Sequence, residues 1–109
     1  MSGKVPVIGH RFLFDFGDAN RYAMYFMAPD KLEVTIVADP GYAKGTVNVF
    51  DIARTELRPD LYLVTWVEPA TGNTVTHVQD FANDVVYTNI TDLASKKFWN
   101  LRGTIASQD

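Results

Sequence analysis

The sequence predicts an all-β protein: a small antiparallel up-and-down β-barrel of about eight strands joined by short loops. Segments of alternating polarity follow one another along the chain, turn residues return about every 8 to 12 residues, and no stretch has the period of a long amphipathic helix. Closure into a barrel is favoured because an open sheet of this size would leave two unpaired edges.

The length and composition limit what the protein can be. The chain of 109 residues is predicted to form a single domain over residues 1–109. It has no cysteine, which excludes disulfides and thiolate chemistry, and its net charge of -3 comes without a basic stripe for nucleic acid. No stretch of signal-peptide or membrane-span length is apolar. We therefore expect a soluble and, if bacterial, cytoplasmic protein that binds neither nucleic acid nor membrane.

The first two strands carry an unusual amount of apolar surface. After an irregular lead over residues 1–8, strand parity puts four rings on one face of the first strand: His10, Phe12, Phe14 and Phe16. A hairpin over residues 17–20 leads to the second strand, residues 21–28, which is apolar on both faces. Because a barrel interior can cover only one face, this strand predicts a homodimer.

The middle of the chain contains the longest irregular stretch. Residues 31–38 alternate with one polar face, typical of a strand that is half exposed. Residues 39–45 contain two glycines, and we expect them to form a lid over one end of the barrel. Residues 46–57 then resume the extended pattern, and residues 58–60 form the next turn.

Three further strands and two turns make up the run from residue 61 to residue 91. Residues 61–68 are rich in Leu, Val, Thr, Tyr and Trp, and Gly72-Asn73 marks a hairpin to residues 74–81. Asn83-Asp84 turns the chain into residues 85–91. Residues 92–97 are too short for a stable helix and form a loop or one helical turn. A last strand is predicted near residues 98–106.

Two short sequence motifs between residues 61 and 91 resemble those of a known family. VTWVEP, at residues 64–69, and THVQDF with VVYTNIT, between residues 76 and 91, are similar to the MoaF-like domain, a calycin-type, lipocalin-like barrel. The W-x-E-P-x-x-G word, which ends at Gly72, is also similar to one in the phenolic acid decarboxylases. Those enzymes share the lipocalin-like barrel and use no cofactor. The resemblance implies that Glu68 corresponds to their catalytic acid, and that no cofactor is required here.

The resemblance to the decarboxylases is incomplete. Their first strand carries two tyrosines that hold the substrate carboxylate, and the corresponding positions here are Phe14 and Phe16. A phenylalanine cannot donate that hydrogen bond. The arginine of their barrel has no clear counterpart, Lys44 and Arg54 being the nearest candidates. The family therefore predicts the fold more firmly than the activity.

Glu68 and His77 are the candidate catalytic residues. By strand parity Glu68 shares a face with Trp66, and a carboxyl among rings would have a raised pKa, as a general acid requires. His77 is the natural proton carrier on the next strand. In the alternative interpretation, Glu68 is a hydrated residue at the barrel rim and His77 a hydrogen-bonded residue of the wall. The side chains that we expect to bind substrate are Phe12, Phe14, Phe16, Tyr25, Tyr62, Trp66, Gln79, Tyr87 and Asn89.

Three functions are compatible with these residues. The first is a cofactor-independent lyase or isomerase that acts on a small aromatic or conjugated molecule by Glu/His acid–base chemistry. The second is a non-catalytic barrel that binds a small ligand, and a structural subunit that dimerises through its strand faces is a third. A metal site made from His10, His77 and either Glu68 or Asp80 is the weaker alternative, because no ligand pair has metal spacing. We therefore expect no metal and no cofactor.

Overall fold

The computed structural model describes residues 6–108. Residues 1–5 of the predicted lead, and residue 109, lie outside that range. Nine β-strands occupy the described chain, and it has no helix. Their bounds are β1 Arg11–Asp15, β2 Arg21–Ala28, β3 Lys31–Ala38, β4 Val47–Asp51, β5 Ala53–Arg58, β6 Leu61–Glu68, β7 Asn73–Asp80, β8 Val85–Asp92 and β9 Lys97–Ser107.

The strands form one antiparallel sheet that curls into a nearly closed barrel. Their order is β4-β3-β2-β1-β9-β8-β7-β6-β5, so consecutive strands pair with each other except β4 and β5, which form the two ends of the sheet, and β9 returns to pair with β1. This is the predicted up-and-down topology. Hairpin connections explain it, because a short loop can join only adjacent antiparallel strands.

The ninth strand arises because one predicted strand is bent in the middle. β4 and β5 are separated only by Ile52, whose buried position breaks the ladder and whose backbone N–H donates to Asp30 O at 3.0 Å. The part before the bend pairs with β3, and the part after it pairs with β6. Residues 46–57 are therefore one extended segment that spans the gap between the two ends of the sheet, as a barrel requires.

Aromatic side chains fill one end of the barrel interior. Phe12 and Phe14 are both buried on the inner face of β1, and Phe26, Tyr62 and Phe81 lie within ring-contact distance of one or both of them or of each other. Phe16 packs against this core from above, and Trp66 belongs to it. Strand parity places five rings in the barrel interior, and the structure has all five there: Phe12, Phe14, Phe16, Tyr62 and Trp66.

Gly103 allows β9 to approach the end of β1 closely. A Cβ atom at this position would lie 2.6 Å from Asp15 O and 2.6 Å from Phe16 Cδ1. The Phe16 ring therefore covers the backbone of β9, as aromatic side chains often cover glycines in sheets. The absence of a side chain at Gly103 fixes where the Phe16 ring lies.

The outer face of β2 carries the apolar side chains that predict a homodimer. Met27 is 45% exposed, and the Tyr25 ring lies under the Arg11 guanidinium at 4.9 Å. Met27 is thus exposed on the single chain, whereas Ala23 on the same face is buried, and the homodimer stays a prediction. The loop between β8 and β9, residues 93–96, is a tight turn with no helical turn in it. No helix that could span a membrane occurs among residues 6–108.

Candidate functional site

A cavity of about 800 Å³ occupies the open end of the barrel. Side chains of β2 to β4 and β6 to β9 line it, together with Phe16, and the loop residues Asp39, Pro40, Gly41 and Tyr42 stand at its mouth. The volume lies in the range of small-molecule sites. The loop of residues 39–45 thus contributes to the mouth, where a lid was expected.

Glu68 lies at the end of β6 in the wall of this cavity. Its Oε2 accepts a hydrogen bond from the indole Nε1 of Trp66 at 3.4 Å. Burial raises the pKa of Glu68, the Trp66 bond opposes that rise, and the negative charge of Asp39 adds to it. The carboxyl group is therefore easier to protonate than an exposed glutamate.

Tyr22 and Asp39 form a second polar group at the mouth. The Tyr22 hydroxyl donates to Asp39 Oδ2 at 2.5 Å and accepts from Asn20 Nδ2 at 3.0 Å. Asp39 Oδ1 accepts the backbone N–H groups of Gly41 and Tyr42, at 2.7 and 3.1 Å. Burial first, and then the nearby carboxylates, raise the pKa of Tyr22. One aspartate thus orders the loop and holds the tyrosine.

His77 lies deeper in the cavity wall and is enclosed by rings. Its imidazole stacks on Phe14 at 5.8 Å and meets the edge of Trp66 at 4.8 Å. Its Nδ1 lies 3.0 Å from Gln79 Nε2, so with the amide as donor the ring proton is on Nε2. Burial lowers the pKa of His77 to about 3, so the imidazole is neutral near pH 7.

Three buried polar atoms near the cavity have no hydrogen-bond partner among the described residues: Asn73 Oδ1, Gln79 Oε1 and Thr88 Oγ1. Asn73 and Thr88 line the cavity itself. Buried polar atoms are paired in most proteins, because an unpaired one loses its bond to water without replacement. These atoms give the cavity wall unused capacity for hydrogen bonding.

The structure brings four of the expected site residues into the cavity wall: Phe16, Trp66, Glu68 and His77. Four others are buried in the core next to it, where they support the wall without lining it: Phe12, Phe14, Tyr62 and Gln79. The remaining three, Tyr25, Tyr87 and Asn89, do not reach the cavity.

The prediction that Tyr87 and Asn89 of β8 face the substrate was wrong, because the residues of opposite parity face inward. His77 pairs with Thr88 across the β7–β8 ladder, so Thr88 shares the inner face with His77 while Tyr87 points outward and is 51% exposed. Asn89 likewise bonds to Asn100 on the neighbouring strand, at 3.0 Å. Tyr25 lies on the outer face of β2, since it stands between Met24 and Phe26, which are buried on the inner face.

Most of the residues that line the cavity mouth were not predicted from the sequence. Thr88 is deducible from β-ladder parity once His77 is placed inside, because paired residues share a face. Tyr22 has the same parity as the buried Met24, which was a usable signal. Trp99 likewise has the same parity on β9 as the buried Ile105. Asp39 had no such signal, since a loop residue has no periodicity to indicate direction. Neither Lys44 nor Arg54 lines the cavity, and the Arg54 guanidinium lies over the Tyr62 ring at 3.7 Å.

No group of three or more His, Asp or Glu side chains positioned to hold a metal ion occurs in the described part of the chain. Glu68 and His77 both line the cavity, whereas His10 and Asp80 do not. The residues considered for a metal site therefore do not all meet there.

Comparison with known proteins agrees with this architecture. A family model described as MoaF-like matches residues 8–106. The fold is also similar to the crystal structure of a "putative beta-lactamase from Burkholderia vietnamiensis", with a TM-score of 0.80 and 24% sequence identity over 97% of this chain and 99% of that one. No curated protein sequence matches the chain.

Proposed function

The chain belongs to the MoaF-like family, and from this premise and the cavity we propose that it binds a small aromatic or conjugated molecule inside the barrel. One observation carries the proposal. A cavity of about 800 Å³ is walled by rings and also contains polar atoms that have no hydrogen-bond partner in the described part of the chain. A side-chain core would leave neither the space nor the unpaired atoms.

The ring positions favour a flat ligand. Phe50 and Trp66 stack at 5.9 Å with an angle of 21° between their planes, which presents a broad aromatic surface on one side of the cavity. Phe16 and Tyr22 lie 6.3 Å apart on another. Aromatic walls add about 0.5–1.5 kcal/mol per ring contact beyond the area that they bury.

Tryptophan fluorescence provides a direct test, because both tryptophans of the chain, Trp66 and Trp99, line the cavity. Titration with small aromatic compounds should give a saturable change in emission. Val75→Phe, which fills the cavity from β7, should weaken binding by about tenfold or more. Val47→Phe adds the same volume at an exposed site outside the cavity and is the matched control.

The folding of each variant is checked by thermal unfolding. If Val75→Phe does not fold, Ile90→Phe adds volume to the same cavity from β8. Equal affinity in the cavity-filling and control variants would contradict binding in the barrel, and so would a complete lack of saturable binding across an aromatic compound set.

A second candidate is a cofactor-independent lyase or isomerase, which the raised pKa of Glu68 favours. In this proposal Glu68 is the general acid, since a carboxyl that stays protonated closer to neutral pH can donate its proton to a bound substrate. His77 is available as a neutral base, but a pKa of about 3 makes it a weak one.

The two candidates separate in the Glu68→Gln variant. Glutamine keeps the shape and the acceptor for Trp66 but cannot titrate, so catalysis predicts that turnover disappears while affinity and folding persist. Equal loss of affinity and thermal stability would mark Glu68 as a structural residue. The likeness to the Burkholderia structure, at 24% identity, concerns the fold alone.

A further inference from the structure

The cavity mouth carries charge of one sign. Among the described residues that line the cavity, Asp39 and Glu68 are acidic, and none is a lysine or an arginine. Resting on the proposed small-molecule function, we propose that the ligand is an organic amine, with its ammonium group at Asp39 and Glu68 and its apolar part against the cavity rings.

Two neutral donors at the mouth are already used by its carboxylates. Tyr22 donates its hydroxyl to Asp39, and Trp66 donates its indole N–H to Glu68. Each carboxylate has two oxygens and about four acceptor positions, so both retain capacity for further donors. An ammonium group supplies up to three N–H donors and a positive charge, and charge-assisted bonds of this kind are about twice as strong as neutral ones.

Unpaired polar atoms of the cavity wall are consistent with such a ligand. Thr88 is only 5% exposed and lines the cavity, and its hydroxyl, which can accept or donate, has no hydrogen-bond partner among residues 6–108. Asn73 Oδ1, also at the cavity, is an acceptor without a donor. A ligand rich in N–H groups satisfies these atoms, whereas a ligand that offers only acceptors leaves Asn73 Oδ1 unpaired.

The rings add a second attraction for a cation. Trp66 and Trp99 both line the cavity, and a cation over an indole face is attracted by the negative face of the ring, more strongly the further it is desolvated. An anionic ligand meets the opposite situation, because its charge would approach two partly buried carboxylates without a basic partner. A bound cation would lower the pKa of Glu68 and so oppose the rise that burial causes.

Three compounds with one ring and different charge test the proposal: phenethylamine, 2-phenylethanol and 3-phenylpropionate. Isothermal titration calorimetry at pH 7.5 should give the tightest binding for the amine, by about tenfold over the alcohol, and the weakest for the carboxylate. Glu68→Gln and Asp39→Asn should each reduce amine affinity by about tenfold and change alcohol affinity less than about twofold.

The controls separate the ligand class from the function. Glu56→Gln removes a carboxylate of β5 outside the cavity and should leave amine affinity unchanged. If Asp39→Asn disturbs the loop, Glu68→Gln alone decides, since glutamine still accepts from Trp66. Binding of the alcohol or the carboxylate as tightly as the amine overturns the ligand class and leaves the small-molecule function standing. Failure of all three compounds to bind contradicts both.

Discussion

Trp66 and Glu68 lie on the same face of β6 and are joined by a hydrogen bond of 3.4 Å from the indole Nε1 to the carboxylate. The spacing of two residues that puts them on one face is written in the sequence. The consequence is a ring and an acid that act as one unit of the cavity wall. Trp66 also contacts His77, so the unit links the mouth to the deeper wall.

Stability should fall with rising pH on account of Glu68. Its folded-state pKa is raised by burial, so the folded chain keeps the proton to higher pH than the unfolded chain does. Its contribution is therefore full below the unfolded pKa and is lost as pH rises through the folded pKa. Glu68→Gln should raise Tm at pH 7 slightly relative to the wild type, and the gain should shrink toward pH 4.

The other ionisable groups at the cavity mouth affect this measurement differently. In the folded chain Tyr22 and His77 do not titrate between pH 4 and pH 8, because the pKa of Tyr22 is raised above its ordinary value and that of His77 lies at about 3. His77 does titrate in the unfolded chain, but it does so in the wild type and in Glu68→Gln alike, so its contribution cancels when the two proteins are compared. Asp39 is the remaining ionisable group near Glu68. Repeating the pair of melts in an Asp39→Asn background separates the two carboxylates, and an unchanged pH dependence in Glu68→Gln would contradict the assignment.

His77 should make the protein sensitive to acid. The unfolded imidazole binds a proton near pH 6.5, whereas burial holds the folded pKa at about 3. The free energy of unfolding should therefore decrease as pH falls through this interval, by at most about 1.4 kcal/mol per pH unit. Urea denaturation between pH 7 and pH 4 measures the slope. His77→Phe should lose it, and His10→Phe should retain the part that His77 contributes.

Gly103→Ala should be destabilising by about 1–3 kcal/mol, because a new Cβ would lie 2.6 Å from both a backbone oxygen and the Phe16 ring. The displaced ring belongs to the cavity wall, so the tryptophan emission should change as well. Urea denaturation measures the first effect. Gly41→Ala is the control, since its Cβ meets nothing closer than Asp39 Oδ1 at 3.4 Å, and equal stability in the two variants would refute the steric argument.

Phe50→Ala should weaken the packing between β4 and β6, the two strands that its ring contact joins. Its ring stacks on Trp66 across the interval between β4 and the upper part of β6, where no strand ladder joins the two strands. We expect a loss of about 2 kcal/mol and faster amide hydrogen exchange in β4. Phe98→Ala, at a site 66% exposed, should stay within about 0.5 kcal/mol. Unchanged exchange in β4 would argue against a role for the stack in closure.

The outer face of β2 predicts a homodimer. Met27→Lys places a charge at the centre of this exposed apolar face and should shift a dimer to monomer, since a charge without a partner is costly to bury. Light scattering at high micromolar concentration measures the mass of both proteins. A wild-type monomer under these conditions would disprove the prediction.

The sequence determined the fold class and most of the interior. Alternation with period 2 is a local property, so the sequence showed directly that Phe12 and Phe14 share one face of β1 and that Trp66 and Glu68 share one face of β6. Short turn signals between segments forced neighbouring strands together and so predicted the up-and-down order. The MoaF-like motifs between residues 64 and 91 correctly indicated the family.

Tertiary structure alone decided the cavity mouth and the closing of the barrel. Parity gives two faces for each strand but not which one turns inward, so β8 needed its pairing with β7 to show that Thr88 lies inside and Tyr87 outside. Asp39 meets Tyr22 across 17 positions of sequence, and no local pattern contains that distance. The bend at Ile52 likewise depends on both ends of the sheet, because closure is a property of all the strands together.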